Sequence, residues 1–577
     1  MQLKQETKKY YERLGKTDPE VRYGGRFLHN REHIGKQRLF QVAQNAPKGA
    51  HLHIHLNACL GPEFLLELAA SDELKNNMYI SVNLQDPKKV SAMRKARSDA
   101  KDKADKNNQP APKVKNAYKE PLTNANIGTA NFQFHFLPYG WDTTCSLFNP
   151  EYRGRVEATE KAEDKTYDVM KFTDFLSVFD KSITADSGVK AYNGRLPNRC
   201  MNWLIKRLVF QKEEVVFSEH KIDNAKKIEP AAIKRQWDLF NTRTQMMKGL
   251  FLAETAYRKY LQALFSSFDK DHIQYAELRP NFMKANSVIR TSKADRIPIP
   301  NKAGAFSYDP TKMMDNRAIM DMIIDEFKSW QAAHPRATLK SMKVIMCTPR
   351  SRPYPIKFIE ATMQECYEMK QEAKYKDWIA GFDFVGPELD GRTLKELKPQ
   401  FDMWKAKYAA INLKWILHCG ESVYDRDGNL KFALDELNPH RLAHGYAIQN
   451  VSLDKNAKAK LQKLCIETCP DSNEDLGLAY DASCAAVYPL MKEAIPCSLS
   501  CDNPTLFNST LSHEFYQVMV GKEDFGLKEW KKLMMDSLKH SVWNNEADRA
   551  RVWTEWEGQY MKFVQSIVQD FSPKRGS

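Results

Sequence analysis

No stretch of the 577-residue sequence is long and apolar enough to read as a membrane span, and the mean hydropathy of −0.59 agrees. The N-terminus, Met1-Gln2-Leu3-Lys4-Gln5-Glu6, has no apolar segment of the kind a secretory signal carries. A cytoplasmic location is therefore expected, with a mature secreted chain bearing an added Met as the open alternative. No C-x-x-C pair occurs, which removes the usual structural zinc modules. Eleven cysteines are scattered without a framework spacing, and their number is odd. Cys419, Cys465, Cys497 and Cys501 fall inside apolar runs, so free core thiols are expected rather than disulfides. No internal repeat is visible.

What the chain does contain is enough apolar residue (42%, with 11% aromatic) for a large globular core. Its net charge is +14, with a pI near 9.0. Part of that excess lies in Lys88–Lys119, where Lys and Arg alternate with Ala, Asp and Asn. The plain reading of this run is a solvated insertion. The functional reading is an arm that attracts phosphorylated ligands. Its basic residues are not interleaved with stacking aromatics, so nucleic acid is not expected as a partner.

Short β-rich apolar runs recur along the chain. They are Ala50–Leu56, Ile273–Arg279, Met342–Cys347, Ile379–Val385, Lys414–His418, Arg441–His444, Cys465–Thr468 and Cys497–Cys501. Helix-forming segments such as Lys357–Tyr375 separate most of them. Eight strands alternating with helices predict an α/β fold, a parallel (β/α)8 barrel. Residues 1–48 precede the first strand and are expected to form a helical extension. Residues 49–577 then form the barrel, with 86–270 as a large, mainly helical insertion between strands one and two. Helices are expected there at Tyr167–Lys181, Asn202–Gln211 and Ala231–Phe268. The insertion would cap one barrel face and serve as a contact in a homo-oligomer, a dimer or larger.

Chemistry in such a barrel sits at the C-terminal strand ends. His53 and His55 are two apart on strand one, so their side chains share a face and can converge on one point. His51 lies on that face one step earlier. Strand five runs into His418-Cys419-Gly420-Glu421, strand six into His444-Gly445, and strand eight into Asp502-Asn503-Pro504. Each is an ionisable residue directly after an apolar run. Taken singly, each fits an ordinary satisfied strand end; together they supply a metal-and-carboxylate constellation.

These blocks resemble the adenosine/AMP deaminase family of metal-dependent hydrolases. The likeness starts at Pro47-Lys48-Gly49-Ala50 before the histidine pair. It continues through Tyr275–Arg279, Cys469-Pro470-Asp471-Ser472-Asn473 and Ser498–Asp502. Gly381–Glu388 and Leu511–Val518 resemble the adenosine-deaminase-related growth factor branch, which is typically secreted and dimeric. Other amidohydrolase barrels share the His-x-His but not the His-x-Gly-Glu and Ser-x-x-Asp-x-Pro blocks. The resemblance implies a zinc-dependent purine deaminase that turns adenosine, AMP or dAMP into the inosine form and releases ammonia. It implies one Zn2+ per subunit, held by His53, His55, His418 and Asp502, which activates a water for attack on C6. It makes Glu421, one helical turn beyond a ligand, the acid/base at N1. His444 would orient the water and stabilise the developing oxyanion, and the backbone N–H of Gly386 would meet the purine.

Two positions depart from the family. Asn503 stands where most members have a second Asp, and offers one carbonyl acceptor without charge. Leu56-Asn57-Ala58-Cys59 carries no carboxylate where adenosine deaminases usually place one toward the ribose, and its Ala-Cys part resembles the AMP deaminase branch. Loss of that charge removes an obstacle to a 5′-phosphate. Asn57 and Asn503 are thus candidate substrate-binding residues. The competing reading is a non-catalytic, growth-factor-like signalling or binding protein on the same scaffold, although such a protein would make no chemical demand for Glu421.

Overall fold

The computed structural model describes residues 1–84, 121–139, 146–149, 155–157, 166–184, 199–215, 222–282, 288–300 and 306–571. The Lys88–Lys119 run lies outside the described residues.

All eight expected runs are the strands of one parallel sheet: β1 (Gly49–His55), β2 (Ile273–Arg279), β3 (Ser341–Pro349), β4 (Ile379–Val385), β5 (Lys414–Cys419), β6 (Arg441–His444), β7 (Cys465–Thr468) and β8 (Cys497–Leu499). They pair in chain order. The sheet nearly closes on itself where Ile54 bridges to Asp502, just past β8. There Asp502 N–H donates to the His53 carbonyl at 3.1 Å and His55 N–H donates to the Asp502 carbonyl at 2.9 Å. The strands are buried along nearly their whole length, because helices cover the outside and side chains fill the inside.

The covering helices show the pattern that drives them onto the barrel. In Asn316–Ala333, Ile319, Ile323, Phe327 and Trp330 recur at helical spacing and are buried, and Asp315 caps the first turn by accepting from the Ala318 N–H. Ile356–Gln371, Lys398–Ala410 and Lys455–Leu461 follow β3, β4 and β6. The N-terminal residues form Gln2–Leu14, Phe27–Ile34 and Arg38–Asn45. The last of these packs on Leu511–Gly521 through Phe40, whose ring lies 4.4 Å from His513 and 5.9 Å from Tyr516.

The segment between β1 and β2 is helix-rich but holds strands that its sequence does not announce. Met78–Leu84, Ala130–Phe136 and Met170–Lys171 form a three-stranded antiparallel sheet, with Ile80 opposite Phe134. Thr166–Asp168 is also extended, so the helix expected from Tyr167 begins at Phe172. The expected Ala231–Phe268 helix is two, Ile222–Met246 and Glu254–Lys270, broken at Lys248–Leu252. Gly249 explains the break: a Cβ there would collide with the Phe134 backbone, so the chain must lie directly on the small sheet.

Candidate active site

The C-terminal barrel ends gather six of the named side chains into one buried cluster. The His53 ring lies 5.4 Å from His55, 4.6 Å from His418 and 4.9 Å from His444. Asp502 Oδ1 is 3.4 Å from His53 Nε2 and 3.2 Å from His55 Nε2. His53, His55 and His418 bring nitrogens within 4.8 Å of one another, and Glu421, His444 and Asp502 form a second such group. His51 does not join them. It sits deeper, takes the Cys501 N–H on Nε2 at 3.1 Å, and packs edge-on against Phe268.

Local backbone geometry aims these groups. His444 (φ 62) and Asp502 (φ 59) occupy the left-handed region, which non-glycine residues adopt uncommonly. Glu421 is not on a helix, as its spacing suggested. Gly420 (φ 77) turns the chain after β5 and leaves Glu421 buried, with Oε1 3.5 Å from His444 Nε2. Gly386 (φ 101) needs to be glycine for its own backbone, and a Cβ would press within 3.0 Å of Ser351 Oγ.

A buried polar layer fixes each ring from behind. Asp383 accepts from the His418 backbone N–H at 2.8 Å, sits 2.7 Å from His418 Nδ1, and accepts from Arg279 Nε at 2.8 Å. Glu467 lies 3.1 Å from His53 Nδ1 and accepts from Arg279 at 2.8 Å and Arg441 at 2.6 Å. Arg441 also reaches Glu277. Asn473 meets His444 Nδ1 at 3.1 Å. Such partners orient a metal-binding imidazole and select its tautomer. Ser472 Oγ donates to Asp502 Oδ2 at 2.8 Å, and Asn503 Nδ2 donates to Oδ1 at 2.6 Å.

The electrostatics suit a cation. Asp383 pairs with Arg279, Glu277 with Arg441 and Glu467 with both, all buried, whereas Asp502 pairs with the rings of His53 and His55 instead of an arginine, which suits a carboxylate that shares a cation with them. Burial lowers the basicity of His55, His418 and His444, that of His418 to about 4, leaving imidazoles in the ligand form. Burial also opposes charge on His53, but Asp502 and Glu467 outweigh it and raise that ring. His53 Nε2, His444 Nε2 and Glu421 Oε2 are buried without hydrogen-bond partners. Three histidines, one carboxylate and orphaned atoms at their centre fit zinc or a similar ion, with room for a water. Burial first, then the charge of Asp502, pushes the Glu421 carboxyl well above its usual range.

Above this cluster opens a cavity of about 330 Å3. His55, Asn57, Gly386, His418, Glu421, Asp502 and Asn503 all line it.

The adenosine deaminase family model matches residues 219–554, which include all but the first of these strands. The chain belongs to the adenosine deaminase family. It is 25% identical to human adenosine deaminase 2 over 371 residues, 63% of each chain. Against zebrafish adenosine deaminase 2-A it is 29% identical over 314 residues, 53% of this chain and 56% of that one. The chain thus spans about three fifths of the length of the curated relatives it matches. The N6-methyl-AMP deaminase of Arabidopsis thaliana superposes on 90% of this chain and 98% of its own, at 14% identity and a TM-score of 0.47.

Family blocks and strand ends pointed to the cluster itself; they contained Arg279, Asp383 and Glu388 without giving them a role, and did not include Glu467 or Arg350. Arg350 donates to the Gly386 carbonyl at 3.1 Å and the His418 carbonyl at 3.2 Å. Its partner Glu388 accepts from the Glu421 N–H at 2.9 Å. The available signal was the charge itself: an acid or arginine inside or at the end of an otherwise apolar strand has to find a partner.

Proposed function

We propose that the chain is a zinc-dependent hydrolytic deaminase that removes the C6 amino group of an adenine nucleoside or nucleotide, such as adenosine, AMP or dAMP. The observation that carries this reading is the convergence of His53, His55, His418 and Asp502 beside the buried carboxyl of Glu421. Those four residues would hold one Zn2+ per subunit, which supplies a hydroxide nucleophile near neutral pH.

The chain's own residues do the rest. Glu421 gives its proton to N1 of the adenine ring, which makes C6 electrophilic. His444, fixed by Asn473, orients the attacking oxygen with Nε2 and stabilises the charge that builds on it. Glu421 then carries a proton from that oxygen to the departing amine, so water and the adenine ring leave as ammonia and a hypoxanthine ring. Gly386 presents backbone to the purine. Asn503 steadies Asp502 through its amide and faces the substrate with its carbonyl oxygen. A cytoplasmic homo-oligomer, dimer or larger, completes the reading; among the described residues no helix is long and apolar enough to cross a membrane.

The test is a substrate panel followed by the adenine-to-hypoxanthine absorbance change, run with wild type and Glu421→Gln. Turnover of an adenine compound by wild type, lost by on the order of 100-fold or more in Glu421→Gln, is expected. Equal activity in the variant would overturn the assigned mechanism.

A further inference from the structure

We propose that Cys469, His444 and His53 form a second metal position, set deeper than the zinc centre, which takes a thiophilic ion such as Cd2+, Hg2+ or Cu+ to the exclusion of zinc. The proposal concerns which ion the barrel holds, and it stands whether or not the chain deaminates an adenine compound.

The three side chains meet because of where their strands end. His444 closes β6, Cys469 follows β7 directly, and the two strands are neighbours in the sheet. His53 comes from β1, whose backbone joins that of Asp502 where the sheet nearly closes. The Cys469 Sγ and one nitrogen from each ring lie within 4.8 Å of one another. Two bonds of about 2.0–2.3 Å to one ion span roughly 3.5–4.5 Å, so a single ion is within reach of all three atoms. Among the described residues, Cys469 is the one cysteine placed with two further metal-binding atoms in this way. His53, His444 and Cys469 are fully buried, and none of them lines the cavity, whereas His55, His418 and Asp502 do. The position therefore lies beneath the zinc centre, on the side away from the cavity.

The atoms it offers are short of partners. His53 Nε2 and His444 Nε2 are buried without a hydrogen bond. The Cys469 thiol has a long contact to the Glu467 carbonyl, at 3.7 Å. Donor type separates the two positions. Three imidazoles and a carboxylate suit zinc, and a thiolate selects softer ions. Loading the deeper position replaces the Cys469 S–H bond by a sulfur–metal bond, and the thiol proton leaves to solvent. His53 belongs to both sets, so an ion held by Cys469 withdraws one of the three imidazoles from zinc. The two positions are then filled one at a time, and a thiophilic ion expels zinc while also occupying His444.

Cd2+ is the probe. It is titrated onto zinc-loaded wild type, Cys469→Ser and Cys347→Ser, while a zinc-sensitive dye reads released Zn2+ and ultraviolet absorbance reads the thiolate-to-Cd2+ charge-transfer band. Cys347 is a buried thiol that does line the cavity, so it serves as the control. In wild type and Cys347→Ser the band should grow in step with zinc release and stop at one Cd2+ per chain. In Cys469→Ser the band should be lost. Equal zinc content in wild type and Cys469→Ser before the titration shows that the variant's centre is intact. If that variant fails to fold, the wild-type band and its coupling to zinc release still decide the matter. No band in wild type, a band that survives in Cys469→Ser, or a band that grows while zinc stays bound overturns the proposal.

Discussion

Asp383→Asn is the sharpest probe of how the ligand cluster is held. The carboxylate lies against three donors at once: the His418 backbone N–H at 2.8 Å, His418 Nδ1 at 2.7 Å and Arg279 Nε at 2.8 Å. An asparagine has one acceptor oxygen, so its NH2 must confront a donor whichever way it turns. Arg279 Nε and His418 Nδ1 share Asp383 Oδ2, and the His418 backbone N–H uses Oδ1. With the NH2 in the Oδ2 place, the buried guanidinium loses half of its carboxylate pairing, at about 3–5 kcal/mol, and the ring loses the bond that fixes its tautomer, worth roughly 10–100-fold in metal affinity. With the NH2 in the Oδ1 place, it opposes the His418 backbone N–H, and the remaining oxygen is uncharged toward both the ring and Arg279. Zinc affinity is expected to fall, by about 1.4–2.7 kcal/mol in the first orientation. Competition against a chelator of known affinity measures this directly, and thermal unfolding with and without zinc reads the stability component. Zinc affinity within threefold of wild type, with an unchanged unfolding midpoint, would refute the claim that Asp383 holds the ligand in place.

Two further expectations follow from buried charge. Asp471, Glu474, Asp475 and Glu514 are pushed well above the usual carboxylate range, first by burial and then by one another where neighbours act. Their stabilising protonated state is fully present below about pH 4, the unfolded values, and is lost as pH rises toward their raised folded values. Asp502 and Asp383 are depressed and act in the opposite sense: their contribution holds above about pH 4 and disappears as pH falls further. Glu514→Gln should therefore flatten the decline in urea-unfolding free energy between pH 5 and 8, and an unchanged slope would count against this reading. Arg350→Lys removes the bonds to the Gly386 and His418 carbonyls but keeps the charge opposite Glu388. If the lysine recovers one of the two carbonyls, the net loss is about one bond to a charged group, about 1.5–3 kcal/mol, and kcat/KM should fall by roughly 10–100-fold with zinc content intact; steady-state kinetics beside metal analysis checks it.

The barrel was legible because each strand is a short apolar run that stops at a polar residue. Parallel strands, covered on both sides, have little choice but to look that way. Closure was not written in any one run: it depends on Ile54 meeting Asp502 across the whole chain. The sheet of Met78–Leu84 and Ala130–Phe136 escaped because its partners are far apart in sequence and each is mixed in polarity. In the site, His53 and His55 could be matched by their two-residue spacing, but the same spacing admits His51, and parity carries no information about depth. Asp383 and Glu467 were visible as acids inside apolar strands, yet their partner Arg279 lies 104 and 188 residues away. Asn503 could be seen as a departure from the family, but its bond to Asp502 required coordinates.

Metal removal tests the central claim most directly. Dialysis against a strong chelator, then titration with Zn2+ while ammonia release from AMP and adenosine is followed, should abolish activity and restore it at one equivalent per chain. Full ammonia release from protein shown by elemental analysis to hold no metal would contradict the account.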